Sequence, residues 1–185
     1  QPELYEFDPN PQSYRDLVTK NKNKQVHIFQ LELGQKKGKV KLYDYDQSKS
    51  TQHASIYKDN IIESHKANTK SHIIDIQTLD NFIKESKIKN EIDFLKIDTE
   101  GSEIAVLKGA INLLTKRRIK HIQFEFNEMN VYSRVFIRDF LELLPNYDLY
   151  RMLPNGLISI MPYTPWLSEI YSYSKILCEV KSKKI

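Results

Sequence analysis

The stretch from Ile92 to Leu114 constrains the fold more than any other part of the chain. The largely apolar run Ile92 to Ile97 reads as a strand, and Asp98-Thr-Glu-Gly101 has the composition of a turn. Ser102 then opens a helical pattern in which Ile104, Leu107, Ile111 and Leu114 fall along one stripe. Gly101 is expected to supply a positive φ or a close backbone approach in that turn.

The same alternation runs along the rest of the chain. Glu3 to Phe7 reads as a short strand, Asn10 can cap a helix with Pro11 in its first position, and Tyr14, Leu17 and Val18 recur at helical spacing. Val26 to Leu33 and Val40 to Tyr43 read as strands, with Gly34 and Gly38 between them. Asp44 to Ser71 is polar and without sustained period, so an irregular excursion is expected there. His72 to Ile76 is a strand, and Thr78 can cap a helix that buries Leu79, Phe82 and Ile83. Ile119 to Phe126 is a strand, Val135 to Leu144 a helix, and Tyr147 to Leu153 a strand. Leu157 to Met161 returns by a hairpin through Pro154-Asn-Gly156, and Lys175 to Val180 ends the series after a Trp- and Tyr-rich connection. Strands alternating with helices imply an α/β, Rossmann-like, doubly wound and mostly parallel sheet covered on both faces, with an antiparallel C-terminal edge.

A chain of 185 residues is long enough for one core and short for two, so residues 1–185 are read as one domain. The net charge of +4 comes from lysines spread along the whole chain, which argues for solubility over nucleic-acid binding. One cysteine, Cys178, offers neither an internal disulfide nor metal-ligand spacing, and this composition suits a cytoplasmic protein. No apolar run reaches the roughly 18–20 residues of a membrane span.

In doubly wound sheets ligands bind beyond the carboxyl ends of the strands, which directs attention to the acidic residues there. Asp8 follows the first strand, where a carboxylate can accept the hydroxyls of a ribose; Asp before Pro is also an ordinary turn former. Asp98 and Glu100 follow the most apolar strand and could orient a cationic ligand or take a proton, while helix-terminus electrostatics alone would account for Glu100 and Glu103. In His121-Ile-Gln-Phe-Glu-Phe-Asn127 the alternation puts His121, Gln123, Glu125 and Asn127 on one face, against Ile122, Phe124 and Phe126. The five histidines show no zinc-site spacing; His53 is the one within the polar excursion. No residue is assigned as a metal ligand, and metal dependence stays open: Asp98, Glu125 and Asn127 are oxygen ligands of the kind magnesium accepts, but their spacing does not show that they converge.

Lys96 to Ala110 resembles the Lys-Ile-Asp-x-Glu-Gly-x-Glu-x-x-x-Leu-x-Gly-Ala pattern of the FkbM family of methyltransferases, and the resemblance extends from about Leu4 to Val180. Phe7-Asp-Pro-Asn-Pro11 is similar to the family's Phe-Glu-Pro-Asn-Pro, with Asp8 where the family has its ribose-binding Glu. Leu33-Gly34 resembles the segment that lines the adenine pocket, and Glu32 stands where a small residue is usual. Ile76 to Asp80, Phe124 to Asn127 and Ile176 to Cys178 also match family landmarks in order.

The resemblance implies a class I methyltransferase fold and methyl transfer from S-adenosyl-L-methionine to a hydroxyl of a glycan, polyketide or similar small molecule. It also implies cofactor contacts at Asp8, Leu33, Gly34 and Asp98. Asp98 or Glu125 is then expected to act as base or to orient the acceptor, with Glu100 supporting the turn. The family's first strand and glycine-rich cofactor loop have no counterpart after Gln1, so an N-terminally incomplete domain with unpaired inner strands is expected. Two other functions fit less of the sequence: a nucleotide-binding oxidoreductase, and a non-catalytic interaction module with the Tyr163 to Tyr173 segment as its contact surface.

Overall fold

The computed structural model describes residues 2–45 and 69–182. The chain begins with β1 (Leu4–Phe7), α1 (Pro11–Lys20), β2 (Val26–Phe29), β3 (Glu32–Leu33) and β4 (Gly38–Tyr45). It resumes with β5 (Thr69–Gln77), α2 (Leu79–Glu85), β6 (Ile92–Ile97), α3 (Glu103–Lys108), α4 (Ile111–Thr115) and β7 (Ile119–Phe126). The last third holds α5 (Met129–Ser133), α6 (Ile137–Leu143), β8 (Tyr147–Leu153), β9 (Gly156–Ser159), α7 (Pro165–Ser168) and β10 (Ser174–Val180). Most of the expected excursion, with His53, lies outside the described residues; its two ends belong to β4 and β5.

These strands form three ladders where one mostly parallel sheet was expected. β1 pairs with β2 in parallel, and β5 lies between β3 (parallel) and β4 (antiparallel). The largest sheet has the order β6-β7-β10-β8-β9, parallel only at β6–β7. Its antiparallel C-terminal part agrees with expectation, with the β8–β9 hairpin at the edge and β10 between β7 and β8. The apolar run Val26 to Leu33 is divided between two ladders. Among the described residues, β1 is paired only with β2 and β6 only with β7.

Among the described residues the expected cover is found on one face of the large sheet at β6 and β7, for a reason visible in β7. Ile119, Ile122, Phe124 and Phe126 are fully buried, and Phe140 of α6 stacks on Phe124 with ring centroids 4.1 Å apart. Register places Phe94 and Lys96 of β6 beside His121 and Gln123 on the opposite face, where Phe94 is 52% exposed. Apolar and polar residues therefore alternate as in an antiparallel sheet covered on one side. Phe82 of α2 joins the first ladder to the core, meeting the rings of Phe7 and Phe29 edge-on at 4.8 and 4.9 Å.

Local signals hold where short-range chemistry decides. Asn10 caps α1, its side chain accepting from the N–H groups of Gln12 and Ser13, and Thr78 caps α2 through Asn81. The α1 stripe is not buried among the described residues: Tyr14 and Leu17 are half-buried and Val18 is exposed. The long helix expected after Ser102 is two short ones, α3 and α4. Asp80 makes the break: its N–H donates to the Gly109 carbonyl, and its carboxylate accepts from the N–H groups of Asn112 and Leu113 at the start of α4. Ile111 accordingly leaves the buried stripe. Phe136 stands at the N-cap position of α6 with its N–H donating to Asp139 Oδ2, and α5 has no apolar periodicity that would have revealed it.

Candidate functional site

The carboxyl ends of β6 and β7 bring three of the expected residues together. Lys96 Nζ lies 2.7 Å from Asp98 Oδ2, and the Lys96 ammonium is raised above its ordinary value by that hydrogen bond and, to a lesser degree, by the charge of Glu125. Glu125 accepts a 2.5 Å hydrogen bond from the hydroxyl of Tyr173, the residue before β10. That bond, together with the charges of Glu125, Asp98 and Glu100, raises the Tyr173 hydroxyl to about 12, so it remains a donor at neutral pH. Both sides of the cluster are open to solvent, with the Lys96 and Asp98 side chains about half exposed. Tyr173 carries no motif, and only the pairing of Ser174 with Phe126 brings it to Glu125.

The turn between strand and helix is built as expected at one residue and differently at two. Gly101 has φ 101°, the positive value anticipated. Glu100 also has positive φ, 48°, a conformation that costs a non-glycine residue about 1 kcal/mol or more. The brace for this turn is Glu103, which had been accounted for by helix-terminus charge alone. Its Oε1 accepts from Gly101 N–H at 3.0 Å and from the N–H and hydroxyl of Thr99 at 3.3 Å. Glu103 is 2% exposed, and burial, opposed by these hydrogen bonds, raises its carboxyl above the ordinary range.

A second acidic group lies behind that turn. Asp8 ends β1 with its N–H on the Phe29 carbonyl, and its Oδ1 accepts from Asn10 N–H at 2.9 Å, so the turn-forming role is real. Glu32 is 7% exposed, and its Oε1, like Glu103 Oε2, is buried with no hydrogen-bond partner among the described residues. Burial first, then the charges of Asp8 and Glu103, push the Glu32 carboxyl up to about 8. Leu33 packs in the hydrophobic core. Gly34 presses its carbonyl against α3, where a Cβ at Gly109 would come 2.0 Å from the Gly34 oxygen. That contact explains the glycine in the Leu-x-Gly-Ala part of the motif.

Asn127 departs from the face assigned to it, since it is buried with its Oδ1 accepting from Met129 N–H. Among the described residues no three His, Cys, Asp or Glu side chains are grouped to hold a metal ion. No helix among them is long and apolar enough to cross a membrane. Cys178 is fully buried, and burial raises its thiol. Of the Tyr163 to Tyr173 segment, Tyr171 packs on Phe126 while Trp166 is 79% exposed. Two concavities of about 210 and 280 Å³ adjoin Tyr147, whose hydroxyl reaches Ile119 at the opposite end of β7 from Glu125. They are surface grooves remote from the carboxylates.

These carboxylates lie at the carboxyl ends of strands in a mixed α/β fold, the place where such sheets bind ligands. The chain belongs to the methyltransferase FkbM family, whose model, described as "Methyltransferase FkbM domain", matches residues 1–151. It is similar to the 2-O-methyltransferase NoeI of Sinorhizobium fredii (strain NBRC 101917 / NGR234), with 30% identity over 84 residues, covering 45% of this chain and 33% of NoeI. In fold it is similar to the crystal structure of a methyltransferase FkbM from Methylobacillus flagellatus KT, with TM-score 0.51 and 14% identity, covering 95% of this chain and 36% of that one. The chain thus spans about a third of the length of these relatives. Family membership points to methyl transfer and does not favour the oxidoreductase and interaction-module readings.

Proposed function

We propose that the chain is an S-adenosyl-L-methionine-dependent methyltransferase domain that methylates a hydroxyl of a small molecule or glycan. The observation that carries this reading is the convergence of Asp98 and Glu125, through Lys96 and Tyr173, at the ends of β6 and β7. The cofactor supplies an electrophilic methyl group on a sulfonium centre. The residues present fit such a group: Asp8 offers a carboxylate at the end of β1, and the buried, unpartnered oxygen of Glu32 calls for a hydrogen-bond donor near it. Leu33 and Gly34 would contribute backbone at the edge of the nucleoside site, and Asp98 would face its methyl end.

The acceptor hydroxyl must lose a proton as its oxygen takes the methyl group, and a positioned carboxylate can remove it. Glu125 is held from one side by the Tyr173 hydroxyl, and Asp98 is held by Lys96. Either carboxylate receives the proton while the other orients the acceptor, with Glu100 on the strained turn beside them. The test is transfer of labelled methyl from S-adenosyl-L-methionine to a panel of neutral glycosides and hydroxylated small molecules. Asp98→Asn and Glu125→Gln should each lower turnover roughly 10²- to 10⁴-fold, the span of general-base contributions. Unchanged turnover in Asp98→Ala would remove Asp98 from the reaction.

A further inference from the structure

We propose that Glu32 is the second arm of a clamp for the vicinal diol of the cofactor's ribose, acting together with Asp8. The inference rests on the methyltransferase reading above and adds to it a residue that the family pattern does not require.

A carboxylate at the end of an early strand in such a fold takes the ribose hydroxyls, and Asp8 occupies that place. Two features make Asp8 a partial clamp. Its side chain is one methylene shorter than a glutamate, and its Oδ1 holds the Asn10 N–H in the turn that starts α1. A vicinal diol offers two hydroxyls, each both donor and acceptor. Glu32, the first residue of β3, supplies what is missing. It is more than nine-tenths buried, its Oε1 has no hydrogen-bond partner among the described residues, and it lies close enough to Asp8 to feel that charge. The reach absent at residue 8 is present at residue 32, a long acid standing where a small residue is usual.

An unpartnered buried oxygen is costly, and a ligand hydroxyl is the partner that would satisfy it. A metal ion does not meet the need, because the described acidic side chains are not grouped to ligate one. Among the described residues the charged groups that act on Glu32 are Asp8, just after β1, and Glu103 of α3, both acids. Glu32 therefore stays a neutral carboxyl at pH 7, able to donate to one ribose oxygen and accept from the other hydroxyl. Glu103 is committed through its Oε1 to the Thr99–Gly101 turn, while its Oε2, like Glu32 Oε1, is buried without a hydrogen-bond partner among the described residues.

The experiment is a ligand-observed NMR titration of the chain with adenosine, 2′-deoxyadenosine and 3′-deoxyadenosine at pH 7. Adenosine should bind roughly tenfold or more tighter than either deoxynucleoside, as expected for a hydrogen bond to a carboxyl group. Glu32→Ala and the isosteric Glu32→Gln should both weaken adenosine and narrow that discrimination. Asp8→Glu added to Glu32→Ala, which moves the reach back to residue 8, should restore it, giving a double-mutant cycle with strong coupling. Thermal unfolding of each variant verifies that it is folded. If both Glu32 variants bind adenosine with wild-type affinity and discrimination, the clamp is overturned while the cofactor reading stands. Wild-type protein that binds none of the three nucleosides would overturn both.

Discussion

Glu32 makes the stability of this protein depend on pH in a way that can be worked out from its surroundings. Burial, with Asp8 and Glu103 as neighbours, raises its carboxyl from the ordinary 4.5 to about 8. The unfolded chain then gives up this proton at lower pH than the folded chain, so between these values the folded state binds more protons and stability falls as pH rises. The contribution is complete below pH 4.5 and is lost as pH passes through about 8. Each pH unit in that interval removes about 1.4 kcal/mol, on the order of 4 to 5 kcal/mol in all, against a typical total of roughly 5–15 kcal/mol. Glu103, also raised by burial, acts with the same sign. Glu32→Gln abolishes the titration but leaves a buried amide to be satisfied, so the variant should be less stable than wild type near pH 5 and more stable near pH 9. Urea unfolding at half-unit pH steps measures both curves. Parallel curves for wild type and variant from pH 5 to 9 would refute the reasoning.

Three further outcomes follow from the packing. Gly109→Ala places a methyl group 2.0 Å from the Gly34 carbonyl oxygen, backbone that cannot swing aside, and should cost about 1–3 kcal/mol in a urea melt. Asp80→Ala removes the acceptor for the Asn112 and Leu113 N–H groups and should cost about 0.5–2 kcal/mol, seen as a lower Tm; an unchanged Tm would mean that α4 does not depend on this cap. Cys178, fully buried with its thiol raised by burial, should react with a thiol reagent only as fast as the protein unfolds; rapid labelling of the native chain would contradict its placement.

The parts of the fold legible in the sequence are those that local chemistry decides. Asn10 and Thr78 are short polar acceptors placed where a helix leaves N–H groups unpaired, and Gly101 is the residue most at ease at positive φ, so each could be assigned from its neighbours. The alternation from His121 to Phe126 told which side of β7 is buried, because successive side chains point to opposite faces. The break between α3 and α4 was not legible, since Asp80, 32 residues before Asn112, imposes it through space. Tyr173 was missed for the same reason: it lies 48 residues from Glu125 and meets it only because β10 pairs antiparallel with β7.

The sequence alone thus identified the family, the strand ends that carry Asp8, Asp98 and Glu125, and the residues most suited to end or start each element. The tertiary structure decided which groups share a space. It put Glu103 under the Thr99–Gly101 turn, Tyr173 on Glu125, and Glu32 within reach of the Asp8 charge with an oxygen buried and unpartnered among the described residues. Residue type and spacing determine what a side chain can do, but its hydration, its neighbours' charges and its protonation depend on contacts between segments distant along the chain.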